Sequence, residues 1–250
     1  MLDLILVGTV HLDPQGRKGL SKIIEKFQPS ILTVEISGFS VRYRLSNQEK
    51  WLIRLEYLKN KLSEEKRRHS RLKLLELQLQ IPFEWAVAYE YGKANNIPCL
   101  PIDNSDLARN ELPLWKSEVL SSKNLLKIIQ EPDFDLDEHF KICHSKAKTA
   151  LGKPNHFTKP GQQLSWLSNR SWEKREKTLA YRIKRVHENA LPHRGSHLRK
   201  NLCHIHICGW MHLMTGGPWK TMADLLLRLD PVRILLRRMG AGSGNDYVII

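Results

Sequence analysis

Twice in this 250-residue chain, once near each end, a Gly stands three residues ahead of a His at the close of a β-like run. Gly8-Thr9-Val10-His11 follows Leu4-Ile5-Leu6-Val7, and Gly209-Trp210-Met211-His212 follows Ile205-His206-Ile207-Cys208. Imidazole can carry protons near neutral pH or ligate a metal. Strand ends on one edge of an α/β sheet are where polar side chains converge on a ligand. A Gly there permits a sharp turn and a close approach. Two such turns can bring His11 and His212 into one cleft. Glu35 lies within the apolar run 31–36. A carboxylate there needs a metal, Arg or His partner, because burying an unpaired charge is costly.

Other groups read as structural when taken singly. Glu84 falls early in a helix, where the dipole favours a carboxylate. Asp103 ends a strand and can cap the segment after it. Cys203, His204, His206 and Cys208 suggest zinc, but period-two geometry puts Cys203 on the opposite face from the other three. A zinc site wants four converging ligands, often from Cys-x-x-Cys knuckles, and that spacing is absent. Packing is therefore the preferred reading of this strand, with His193 and His197 keeping a zinc alternative open. No Gly-x-Ser-x-Gly elbow is present, which disfavours a Ser hydrolase.

The elements that must position these groups follow from periodicity. Residues 2–7 read as a buried strand and 16–27 as a helix, with Leu20, Ile23, Ile24 and Phe27 at helical spacing. Pro29 ends it, and 31–36 reads as a second strand, giving a strand–helix–strand unit and a parallel pair. Residues 46–80 are Leu-rich, charged and helical in pattern, with Trp51, Leu52, Leu55, Leu58 and Leu62 in one stripe. Packing against the core is its preferred role, ahead of partner binding. A helix over 83–95 leads to a strand over 98–103. Helices are expected over 115–129, 136–150 and 162–189, with a loop at 153–161 and a polar, basic connection at 191–201. A strand over 203–208 precedes a helix from 216 to 229. Residues 232–236 fit a strand or a helical turn, 240–244 a turn, and 247–250 a last strand. The expected fold is a single α/β domain. Its central, largely parallel sheet is flanked by helices, with helix-rich sections at about 40–80 and 105–160.

Composition bounds the rest. A chain with 41% hydrophobic and 26% charged residues is ordinary for a globular protein. No apolar run reaches the roughly 20 residues that span a bilayer, and the start reads as a strand, so a cytoplasmic location is expected. The four Cys form no disulfide pattern. The net charge of +14 attracts anionic partners without identifying one. It is clustered, with eleven Lys/Arg against four Glu over 42–73 and ten against three over 170–200.

In order along the chain, these segments resemble the TraB/Tiki family, within a wider group that includes ChaN-like and erythromycin-esterase-like proteins. The resemblance is carried by Gly8-Thr9-Val10-His11, by Thr33-Val34-Glu35-Ile36, and by Glu84 on its helix before the Asp103 strand. Lys174-Arg175-Glu176 and Gly209-Trp210-Met211-His212 complete it. Lys174 stands where the family has an acidic residue, Asn104 where it often has Arg, and His204 and His206 where its strand is apolar. The resemblance implies a metal-dependent, peptidase-like hydrolase acting on a peptide or small-molecule substrate. It implies His11, His212 and Glu84 as ligands of a divalent Mn, Co or Zn ion. Glu35 would be ligand or general base on a metal-bound water, and Arg175 would stabilise the oxyanion. Asp103, His204 and His206 are secondary candidates. A non-catalytic ligand- or metal-binding protein is the alternative, and an anion- or nucleic-acid-binding protein using the basic helices is the third reading.

Overall fold

The computed structural model describes residues 3–152, 170–190, 203–217, 220–238 and 247–250. Six strands form one sheet in the order β3-β2-β4-β1-β5-β6. β1 (Asp3–Thr9), β2 (Ile31–Val34), β3 (Cys99–Pro101), β4 (Cys203–Gly209) and β5 (Val232–Leu236) are parallel, and β6 (Tyr247–Ile249) runs antiparallel to β5. The mixed α/β class expected from the sequence is the class observed. β1 and β4 are buried along almost their whole length, as strands covered on both faces must be. Their register sets Gly8 opposite Cys208 and Thr9 opposite Gly209, so the two Gly-x-x-His segments leave the sheet side by side.

One face of the sheet is covered by α1 (Gly16–Phe27) and, further along, by a second helix over Phe83–Asn95. Leu20, Ile23, Ile24, Val87 and Ala88 pack there on Ile5, Val7, Ile205 and Ile207. Between them the chain forms α2 (Gly38–Lys59), α3 (Glu64–Arg67) and α4 (Ser70–Leu79), which makes the Phe83–Asn95 helix α5. After β3 come α6 (Ser105–Glu111), α7 (Ser122–Gln130), α8 (Leu136–Gly152) and α9 (Arg170–Asn189), and after β4 comes α10 (Met222–Leu226). Residues from α8, α9 and α10 cover the other face, over Leu4, Leu6 and Cys208. A third cluster joins α2, α4 and α7 around Trp51, Leu55, Leu72 and Trp115, so the Leu-rich stripe packs within the protein.

Several expected elements differ. β1 and β2 are parallel but not neighbours, because β4 lies between them. Seven consecutive buried residues suit β4 to the centre better than the four of β2. β2 ends at Val34, one residue before Glu35. The helix expected over 46–80 is three helices, α2 to α4, broken near Asn60 and Arg68. The one expected over 115–129 starts later, at Ser122, where the Ser121 hydroxyl accepts the Asn124 N–H. The helix expected over 216–229 shrinks to α10, opened by a Thr221–Asp224 capping box, and a 3-10 turn. Residues 232–236 are a strand. The segments 153–161, 191–201 and 240–244, and the start of the helix expected over 162–189, lie outside the described residues. All four Cys are free thiols. Among the described residues no helix is long and apolar enough to cross a membrane.

The connection from β1 passes over one face through α1, and that from β4 passes over the other through α10. Adjacent strands whose connections diverge in this way leave a crevice at their carboxyl ends, where open α/β sheets bind ligands.

Candidate active site

Seven of the eight residues nominated from the sequence, all except His204, bear on this edge of the sheet or on the buried layer just beneath it. His11 follows β1, Glu35 follows β2, Asp103 follows β3 and His212 follows β4 in the 3-10 turn Trp210–Leu213. Glu84 comes from the first turn of α5, and Arg175 from α9.

Glu35 is the hub, with its side chain only 5% exposed. Its Oε2 accepts the Gly209 N–H at 2.8 Å, and its Oε1 accepts from His212 Nε2 at 2.9 Å and from Arg175 Nη2. Arg175 also grips Asp103 side-on, with Nε to Oδ1 at 3.2 Å and Nη2 to Oδ2 at 2.7 Å. Burial alone would push the Glu35 carboxyl up, but the facing His212 and Arg175 cations hold it well below the usual carboxylate range. The other ring nitrogen of His212, Nδ1, lies 2.6 Å from Glu176, which is fully buried on α9. Burial disfavours the imidazolium, yet the two carboxylates outweigh it and raise His212 to about 9. Trp172 stacks on the ring, with centroids 4.8 Å apart. His212 is thus a fixed, buried cation at neutral pH.

His11 is different, since its side chain is half exposed. Nδ1 donates to Glu84 Oε1 at 2.7 Å, and Thr9 Oγ1 donates to the same oxygen at 2.8 Å. Burial lowers the basicity of the ring, but Glu84 and Glu35 raise it further, leaving His11 above the ordinary value of 6.5. A Cβ built on Gly209 would stand 2.6 Å from His11 Nε2. Gly209 has φ −63° and ψ 141°, which any residue adopts, so contact alone requires the glycine. Gly209→Ala therefore displaces the His11 ring toward solvent. The expected result is a shift of the His11 ring resonances with a change in unfolding free energy under about 1 kcal/mol, read from NMR and urea melts.

His212, Glu84 and the Nδ1 side of His11, three groups the resemblance gives as metal ligands, are engaged with other side chains in this structure. Both nitrogens of His212 face carboxylates, Nε2 towards Glu35 and Nδ1 towards Glu176. Glu84 Oε1 is taken by Thr9 and His11, and the His11 nitrogen that faces it is a donor. Among the described residues no group of three or more His, Cys, Asp or Glu is placed to hold a metal ion.

His204 and His206 point into the layer beneath α9, where neither side chain reaches solvent. Thr33 Oγ1 bridges them, at 2.8 Å from His204 Nε2 and 3.0 Å from His206 Nδ1. These polar residues sit in an otherwise apolar strand because β2 supplies their hydroxyl partner. Burial holds His206 down at about 3 and His204 well below its ordinary value, so both are neutral in the folded protein. The unfolded chain binds protons on both from pH 6.5 downward. Stability from these two groups is accordingly full above pH 6.5 and is lost as pH falls below it, for His206 down to about 3. His212 acts oppositely, and its share fades as pH rises from 6.5 through about 9. Urea melts across this range should show a maximum near pH 6.5.

Two participants were missed in the sequence. Glu176 was quoted only as a neighbour of Arg175, yet it is the one carboxylate on the buried side of α9, among Leu179, Ala180 and Ile183. That is the same signal, an acid in an apolar stripe, that singled out Glu35. Thr9 gave no signal beyond its place beside Gly8. Comparison of the chain with protein-family models, curated proteins and solved structures finds no match.

Proposed function

We propose that this chain is a hydrolase of peptide-like bonds, with His11 as the general base on water. The observation that supports this most is the His11–Glu84 couple. A half-exposed imidazole at a sheet-edge crevice has one nitrogen fixed by a buried carboxylate, and that carboxylate is fixed in turn by Thr9. Such a couple sets the tautomer and strengthens the base. His11 takes a proton from water as the oxygen attacks the substrate carbonyl. Arg175 Nη1 makes no hydrogen bond among the described residues, and it donates to the oxyanion that forms. The protonated His11 then gives its proton to the leaving amine. Glu35, His212 and Glu176 hold Arg175 and the Gly209 turn in place. The order of motifs along the chain, with its resemblance to the TraB/Tiki family, agrees with a hydrolase.

Turnover of a peptide library against pH tests this reading. Only neutral His11 is a base, so rates rise with pH through a midpoint above 6.5 and fall away below it. Added Mn²⁺, Co²⁺ or Zn²⁺, or a chelator, leaves the rate unchanged. Activity lost to a chelator and restored by Mn²⁺ would reinstate His11 and Glu84 as ligands.

A further inference from the structure

We infer that the outer face of α9 is a docking strip for acidic polypeptide, leading a substrate segment into the crevice. Lys174, Lys177, Tyr181, Lys184 and Arg185 are all exposed and fall within roughly 100° of one another around the helix. From Lys174 to His187 the only carboxylate on α9 is Glu176, which is fully buried, and the exposed Glu188 lies on the strip's face at its far end. Glu188 reaches Lys184 only at 3.7 Å, and both remain largely in water. Tyr181 is 60% exposed, with the Arg185 guanidinium 5.8 Å from its ring centre. The strip runs about 16 Å, the span of roughly five extended residues.

Its amino-terminal end is Lys174, next to Arg175 at the crevice. The charge there reverses. Glu35, Glu84, Asp103 and Glu176 face only Arg175, His212 and His11. A nucleic acid carries a phosphate at every step, about 3.4 Å along each strand, and cannot shed that charge on reaching a crevice whose one arginine, Arg175, is already paired with Glu35 and Asp103. A polypeptide can, since an acidic run can lie on α9 while an uncharged stretch enters the crevice. The fate of the bound segment rests on the hydrolase reading, but its binding does not.

The test measures binding of a fluorescein-labelled peptide, with a Glu-rich half and an uncharged half, to the full-length His11→Ala protein, which leaves the probe intact. An oligothymidylate of equal charge is the comparison. We expect the peptide to bind more tightly than the oligothymidylate, and to weaken at least about tenfold at high salt. We also expect a loss of at least about tenfold when Lys174→Gln, Lys177→Gln, Lys184→Gln and Arg185→Gln are combined, with circular dichroism unchanged. The four side chains are exposed and Gln is a good helix former, so folding is retained. Should that variant still fail to fold, Lys177→Gln with Arg185→Gln alone serves, with a smaller loss expected. No peptide binding, equal binding to variant and parent, or tighter binding of the oligothymidylate would overturn the inference. Strip-dependent binding together with an intact peptide after incubation with wild type would reject hydrolysis and leave the docking surface standing.

Discussion

Glu35→Ala lowers the unfolding free energy at pH 7 by about 3–5 kcal/mol, the usual cost of removing one partner from a buried ionic cluster. The carboxylate is 5% exposed and accepts three hydrogen bonds, from His212, Arg175 and the Gly209 N–H. Its removal strands a buried backbone donor and takes one of two counterions from the His212 imidazolium. Arg175 keeps Asp103, so the main loss falls on His212 and Gly209. The pH dependence gives this prediction its signature. His212 titrates at about 9 in the wild type because of its carboxylate neighbours. Without Glu35 it releases its proton at lower pH, and the native state forfeits a bound proton. The penalty is therefore larger at pH 6 than at pH 10, where the ring is neutral in both proteins. Glu35→Gln keeps the shape and an acceptor oxygen, and costs less. Urea melts at both pH values measure it, and a loss under about 1 kcal/mol for Glu35→Ala would remove Glu35 from the centre of the account.

His11→Ala behaves in the opposite way, with a large effect on turnover and a small one on folding. A positioned general base contributes roughly 10²–10⁴-fold, and that is the expected loss in kcat/KM on the most rapidly cleaved peptide of a library. Half of the side chain is already in water, and its removal uncovers one oxygen of Glu84 that Thr9 continues to serve. Stability should move by no more than about 1 kcal/mol. Glu84→Gln should show the smaller catalytic loss of a base that keeps its position and gives up part of its strength. Equal activity in wild type and His11→Ala would end the general-base reading.

Legibility in the sequence tracked how much of each signal was local. The helices over Gly16–Phe27 and Phe83–Asn95 match the expected bounds to the residue. Each carries its own stop, since Gln28 and Asn96 turn the chain in the left-handed region and Pro follows each within two residues. The breaks between α2, α3 and α4 were invisible because neither Gly nor Pro marks them, and the Leu spacing runs on through the charged stretch. Strand order was not local either. Nothing in residues 2–36 says that a strand from beyond position 200 will separate β1 from β2. That insertion is what brings His212 and Gly209 beside Glu35 and His11. The carboxylates Glu35, Glu84 and Asp103 were found by type and place, but their partners were not. Which acid faces which imidazole depends on α5 and α9 packing on opposite faces of the sheet. His204 and His206 share a face that is legible in the sequence, but the Thr33 hydroxyl that bridges one nitrogen of each lies on another strand.

On the proposed reading, one histidine at the sheet edge is a working base while the other is a fixed cation. Titration of the wild-type imidazoles by nitrogen NMR separates them directly, with His11→Ala and Glu35→Ala used for assignment. The account predicts that His212 keeps both protons through neutral pH and titrates near 9, that His11 titrates above 6.5, and that His204 and His206 stay neutral down to acid pH. A His212 ring that is neutral at pH 7, with a nitrogen lone pair free for a metal, would contradict it.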